Sequence, residues 1–125
     1  MSNQNKKYLG KCHCGKISFE TEITPQWLVK CNCSICSRLG AKWAHTEHNK
    51  VAFNYNQDDC IKYSWGDKCL VIISCKHCGC TTHWDSLDND EQRRVGLNFR
   101  MCSESDTSAL PIRHFDGADS WEFLD

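Results

Sequence analysis

No stretch of this 125-residue chain is apolar for long enough to cross a bilayer. The longest run, Leu70 to Ile73, falls far short of the roughly 20 residues a spanning helix needs, so no membrane partner is expected. The first ten residues, Met1 to Gly10, hold two lysines and no apolar segment of the kind that directs export, and a soluble, cytoplasmic protein is the expectation. A surplus of one charge is missing as well. Lys+Arg 15 against Asp+Glu 16 leaves a formal net charge of −1. The basic excess that nucleic acid or an anionic membrane demands is absent, and no nucleic-acid partner is expected. Neither an internal repeat nor a linker divides the sequence. Its length suits one domain over residues 1–125, with a core over about 8–123.

Cysteine is what the chain has in excess, 11 of 125 residues. In a short exported chain that density marks a disulfide scaffold. Here the count is odd, which forbids complete internal pairing, and a reducing cytoplasm keeps thiols as thiols. The cysteines are also clustered. Cys12-His13-Cys14-Gly15 is a C-x-C, Cys31-Asn32-Cys33-Ser34-Ile35-Cys36 a C-x-C-x2-C, and Cys75-Lys76-His77-Cys78-Gly79-Cys80 a C-x2-C with one cysteine more. Cys60, Cys69 and Cys102 stand alone.

A tetrahedral metal needs sulfurs about 3.5–4 Å apart, each about 2.3 Å from zinc, and closely spaced cysteines on a tight turn meet that demand. The glycines after Cys14 and Cys78 relax the backbone beneath such turns. Seven cysteines divide into four plus three: a closed four-thiolate site, and a three-thiolate site with one coordination position open, as catalytic zinc is held. Spacing alone leaves the pairing open. Joining Cys33 and Cys36 to Cys75 and Cys78 would make an ordinary zinc ribbon. The ferredoxin spacings of iron–sulfur proteins are absent.

Gly10-Lys11-Cys12-His13-Cys14-Gly15 resembles the opening G-x-C-x-C-G motif of the glutathione-dependent formaldehyde-activating enzyme family, whose superfamily includes the centromere protein V type. Cys31-Asn32-Cys33-Ser34-Ile35-Cys36 is similar to the family's central C-x-C-S-x-C motif, and Ser74-Cys75-Lys76-His77-Cys78-Gly79 to its F-C-x-x-C-G segment. Val95-Gly96-Leu97-Asn98-Phe99-Arg100 and Phe115-Asp116-Gly117 resemble its closing strands. The resemblance runs in order from Gly10 to Gly117.

It implies a mainly-β, Mss4-like zinc-binding fold with short helical turns. It also implies two zinc ions per chain: a structural ion on Cys12, Cys14, Cys75 and Cys78, and a catalytic ion on Cys31, Cys33 and Cys36. The implied activity is that of a carbon–sulfur lyase, forming or cleaving an S-hydroxymethyl adduct between a thiol such as glutathione and formaldehyde or a related aldehyde, in a monomer or homodimer. The centromere-type relatives suggest the alternative of a non-catalytic zinc module that binds a protein partner. The sequence departs from the family at Cys80, where a small or hydroxylated residue is usual, and at Met101-Cys102.

Alternation of apolar and polar residues predicts strands over Ile17–Ile23, Trp27–Lys30, Ala41–Thr46, Val51–Tyr55 and Arg94–Arg100. Ile61–Trp65, Gly66-Asp67 and Cys69–Ser74 form a hairpin signal, with Thr81–Trp84 continuing the return. Ser34 is expected to cap a helical turn closed by Gly40. Met1–Lys7 is expected to be a loose tail, Asp85–Glu91 and Ser103–Ser108 loops, and Ile112–Phe123 a docked segment. Arg38 and Lys42 are the cations nearest the central motif, and His45 and His48 are candidate proton shuttles. His13 and His77 are expected to face solvent. Trp43, Trp65 and Trp84 are read as core or pocket wall, and Cys60, Cys69 and Cys102 as small buried apolar residues.

Overall fold

The computed structural model describes residues 6–64 and 69–125. Among these residues ten strands form two sheets, so the mainly-β expectation holds. β1 (Tyr8–Lys11), β2 (Ser18–Thr21) and β5 (Val51–Asn54) make a three-stranded antiparallel sheet in the order β1-β2-β5. The other seven are β3 (Leu28–Cys31), β4 (Trp43–Glu47), β6 (Cys60–Tyr63), β7 (Leu70–Cys75), β8 (Thr81–Ser86), β9 (Arg94–Asn98) and β10 (Ile112–Phe115). They lie in the order β10-β3-β4-β9-β8-β7-β6. Among the described residues no helix is long and apolar enough to cross a membrane.

The two-residue period of the strands decides how the sheets meet. Leu28, Ala44, Val95 and Leu97 of the large sheet pack with Tyr8 and Phe19 of the small one, and Phe99 fills the gap, its ring 5.1 Å from Tyr8 and 6.2 Å from Phe19. Val29 and Trp43 point to the opposite face. There they pack with Ala41, Leu39, Trp84, Phe115 and Cys36, and this second cluster is the floor under the central cysteines.

Several local expectations change. Tyr8–Lys11 is a strand, held antiparallel to β2 with Gly10 opposite Phe19. Asp85 and Ser86 belong to β8 rather than to a loop, because the β7 register continues through Val71 opposite Asp85 and Leu70 opposite Ser86. Glu104–Thr107 forms one helical turn, α2, where a loop was expected. Cys69 is exposed at the start of β7, and Cys60 is half-buried with its thiol donating to the Gln57 carbonyl at 3.4 Å, so of the three lone cysteines Cys102 alone is buried. The Met1–Asn5 part of the tail, Trp65 and the Gly66-Asp67 turn lie outside the described residues.

The docked segment after Ile112 is more than an appendage. β10 runs parallel to β3 with Ile112 opposite Leu28 and Phe115 opposite Cys31. Every other strand pairing is antiparallel. This register carries the chain after Phe115 directly to the first cysteine of the central motif.

Candidate metal centres

The first centre is built from two matching turns. Cys12 and Cys14 leave β1, and the Gly15 N–H closes their turn on the Cys12 carbonyl at 3.0 Å. Cys75 ends β7, and the Gly79 N–H closes its turn on the Cys75 carbonyl at 2.8 Å. Gly15 and Gly79 take φ of 84° and 82°, a left-handed conformation that costs glycine nothing. Backbone amides then turn inward, Ile17 N–H to the Cys12 sulfur at 3.4 Å and His77 N–H to the Cys75 sulfur at 3.3 Å. The Cys80 N–H, followed by that of Cys14, holds the Cys78 thiol down to about 5.

The sulfurs of Cys14 and Cys75 lie 3.5 Å apart and those of Cys12 and Cys14 3.7 Å apart. All four sulfurs fall within 4.8 Å of one another. That spacing fits the edges of a thiolate tetrahedron, about 3.8 Å for a metal–sulfur distance near 2.3 Å. Cys12 and Cys75 are buried against Ile17, and Cys60 and Cys80 pack on the same cluster without joining the ligand set. His13 and His77 stay on the surface, and His77 Nε2 bonds Asp59 at 2.8 Å.

The second centre sits where β3 meets the helix α1 (Ser34–Leu39). The helix cap is Cys33, one residue earlier than expected: its sulfur accepts the Cys36 N–H at 3.4 Å, in the position a serine oxygen would normally take. Gly40, at φ 64°, closes the other end, and its carbonyl accepts from the Arg100 Nε–H. The Cys33 N–H points to the Cys31 sulfur at 3.5 Å, and the Trp43 indole N–H to the Cys36 sulfur at 3.3 Å. The three sulfurs gather within 4.8 Å, and among the described residues no fourth His, Cys, Asp or Glu joins them. The Cys36 thiol, then the N–H groups of Cys33 and Gly117, hold Cys31 down to about 5, while the proton shared with Cys31 pushes Cys36 up.

The loop after β10 covers Cys31. A Cβ at Gly117 would stand 2.5 Å from the Cys31 sulfur, so only glycine lets the loop close. Asn32 clasps this loop with both ends of its amide: Nδ2 donates to Asp116 at 3.0 Å, and Oδ1 accepts from the Ala118 N–H at 3.0 Å. The Asn32 bond, with the Ser120 N–H and hydroxyl behind it, keeps the Asp116 carboxyl below its usual range. Asn32, Trp43 and Gly117 are the contributors that residue spacing did not reveal, although Asp116-Gly117 was visible as a motif.

The other candidates separate. His45 lies on the same sheet face as Trp43, its ring 5.7 Å from Trp84. Its edge reaches solvent, but the protein packed around it, followed by Arg94, holds it down to about 4, so it is neutral near pH 7. His48 faces elsewhere, stacked on Phe53 and 4.0 Å from Asp85. Arg38 donates to the Ser34 carbonyl at 2.8 Å on the exposed side of α1. At Lys42 the backbone N–H bonds Asn98 Oδ1 at 3.2 Å.

Sulfur-only donor sets suit soft or borderline divalent ions such as zinc, so both clusters can hold metal. A crystal structure of a Rhodobacter sphaeroides protein shares the fold at a TM-score of 0.67 and 24% identity, over 83% of this chain and 98% of the other. The family model for the glutathione-dependent formaldehyde-activating enzyme matches residues 7–115, a span that takes in both cysteine clusters and β10, which leads into the loop over the second. With both clusters folded as that family's motifs imply and nearly the whole chain matched, this protein belongs to the glutathione-dependent formaldehyde-activating enzyme family.

Proposed function

We propose that the protein is a zinc-dependent carbon–sulfur lyase of the formaldehyde-activating type. It adds the sulfur of a thiol such as glutathione to the carbon of formaldehyde or a related aldehyde, or reverses that step. One carbon–sulfur bond forms, the thiol proton passes to the aldehyde oxygen, and an S-hydroxymethyl adduct results. Cys31, Cys33 and Cys36 hold the catalytic zinc, and Cys12, Cys14, Cys75 and Cys78 the structural one. The observation that carries this reading is the three-sulfur cluster, which lacks a fourth side-chain donor among the described residues. When bound there, zinc lowers the pKa of an incoming thiol and keeps it nucleophilic at neutral pH.

The chain's own groups prepare the place. Trp43 and the Cys33 and Gly117 amides donate to the cluster sulfurs and spread their negative charge. Asn32 and Asp116 fix the loop that covers Cys31. His45, on the sheet face of Trp43 and with its ring beside Trp84, is the histidine proposed to pass a proton. An odd count of 11 cysteines fits a reducing compartment, and the cytoplasm is the proposed location.

Metal analysis together with exchange spectroscopy on formaldehyde and glutathione tests the proposal. Two zincs per chain, one readily removed by chelator, and exchange faster than the spontaneous rate are expected. Fully metallated protein with no acceleration would overturn the lyase reading and favour a non-catalytic zinc module.

A further inference from the structure

A cleft of about 280 Å³ opens beside the three-cysteine cluster, lined by Ser34, Ile35 and Arg38 of α1 and by Tyr63 of β6. Ser34 and Ile35 stand between Cys33 and Cys36 in the chain, so the turn that gathers the sulfurs is also a wall of the cleft. Arg38 lies one helical turn beyond Ser34. Its bond to the Ser34 carbonyl engages one of the five guanidinium N–H donors and steadies the group at the cleft. Tyr63, 50% exposed, lines the cleft from another strand.

We propose that this cleft receives the carboxylate-bearing arm of the thiol substrate, with Arg38 as its specificity-determining contact. The inference rests on the thiol-adding reading above. Three cluster sulfurs oppose the approach of a further anion, and among the described residues that line the cleft Arg38 is the one charged side chain. A planar guanidinium grips a carboxylate with two parallel bonds, and this geometry separates a carboxylated thiol from a neutral one. Ile35 and Tyr63 offer apolar surface to the methylenes of such an arm. The volume falls below the roughly 300–1,000 Å³ of a pocket that encloses a drug-sized ligand, a scale for one arm of a peptide thiol.

The test uses S-methylglutathione, whose capped sulfur keeps the carboxylates but loses the thiolate. Zinc-loaded protein is titrated by calorimetry near physiological ionic strength. The parent protein is expected to bind it, Arg38→Gln to bind it about tenfold more weakly, and Arg38→Lys to fall between. Uncharged 2-mercaptoethanol should bind the parent and Arg38→Gln alike. Tyr63→Ala, on a separate strand, should weaken S-methylglutathione binding about threefold and serves where Arg38→Gln loses zinc. Equal affinity in all variants, or no binding to the parent, overturns the proposal. Binding that depends on Arg38 in a protein without lyase activity would end the enzyme reading and leave the anion cleft standing.

Discussion

The two cysteine clusters use the same side chain under opposite constraints. In the four-cysteine cluster, Cys14 meets Cys75 from 61 residues away, and Cys12 and Cys75 are 2% and 0% exposed. An ion there would tie the first strand to the end of β7 across the interior. In the three-cysteine cluster all donors fall within residues 31–36, are half-buried, and ride on one strand end and one helix turn. A shared ion between distant segments contributes to folding, whereas an ion held by a local loop contributes little to it and stays accessible. On the proposed reading, long-range ligation would go with structure and local ligation with chemistry.

The largest expected effect divides the clusters directly. Cys75→Ser leaves a buried polar atom in a broken ligand set and removes a stabilisation on the order of 10 kcal/mol, so soluble yield and cooperative melting should be lost. Cys36→Ser should fold with near-parental circular dichroism and bind one metal instead of two. Equal damage from both substitutions would break the comparison.

Acid supplies the second test. His83 is fully buried between Phe53, with ring centroids 4.5 Å apart, and Tyr55 at 5.5 Å, and its Nε2 has no hydrogen-bond partner among the described residues. Burial holds its pKa down to about 4, against the ordinary 6.5. The unfolded chain therefore takes up this proton at a pH where the folded chain refuses it. The stability due to neutral His83 is complete above about pH 6.5 and falls as pH drops through 4, with an upper limit of about 3 kcal/mol. Denaturant melts across this range should slope less in His83→Gln than in the parent. Parallel slopes would remove His83 as the cause.

Gly117→Ala sharpens the comparison further, because its added methyl strikes the Cys31 sulfur and nothing in the four-cysteine cluster. Overpacking of about 1–3 kcal/mol is expected to fall on the second site alone. Chelator competition should show weaker binding of one metal of the two. Asn32→Ala removes the clasp on Asp116 and Ala118, and at this exposed position it should cost about 1 kcal/mol or less. Its signature is faster chelator stripping of the same ion at unchanged melting temperature.

The two cysteine clusters were legible in the sequence because a metal site demands closely spaced donors, and spacing is a sequence property. Strands with clean alternation, such as Ser18–Thr21, were legible for the same reason. The pairing of Cys12 and Cys14 with Cys75 and Cys78 came from family resemblance, since no local rule joins residues 61 apart. Three features escaped. β1 sets Tyr8 beside a second apolar residue, Leu9, and then Gly10, so it shows no alternation. β10 owes its existence to a parallel neighbour that its own residues do not encode. Cys33 took the cap expected of Ser34 because the sulfur, already drawn to the cluster, reaches the Cys36 amide first.

The parallel register of β10 has a consequence for biosynthesis. The trio of central thiols leaves the ribosome early, whereas Asp116 and Gly117 follow about 80 residues later. At roughly 5–20 residues per second, the nascent motif stays uncovered for about 4–16 seconds. During that interval the bare sulfurs would be open to whichever thiophilic ion is most available.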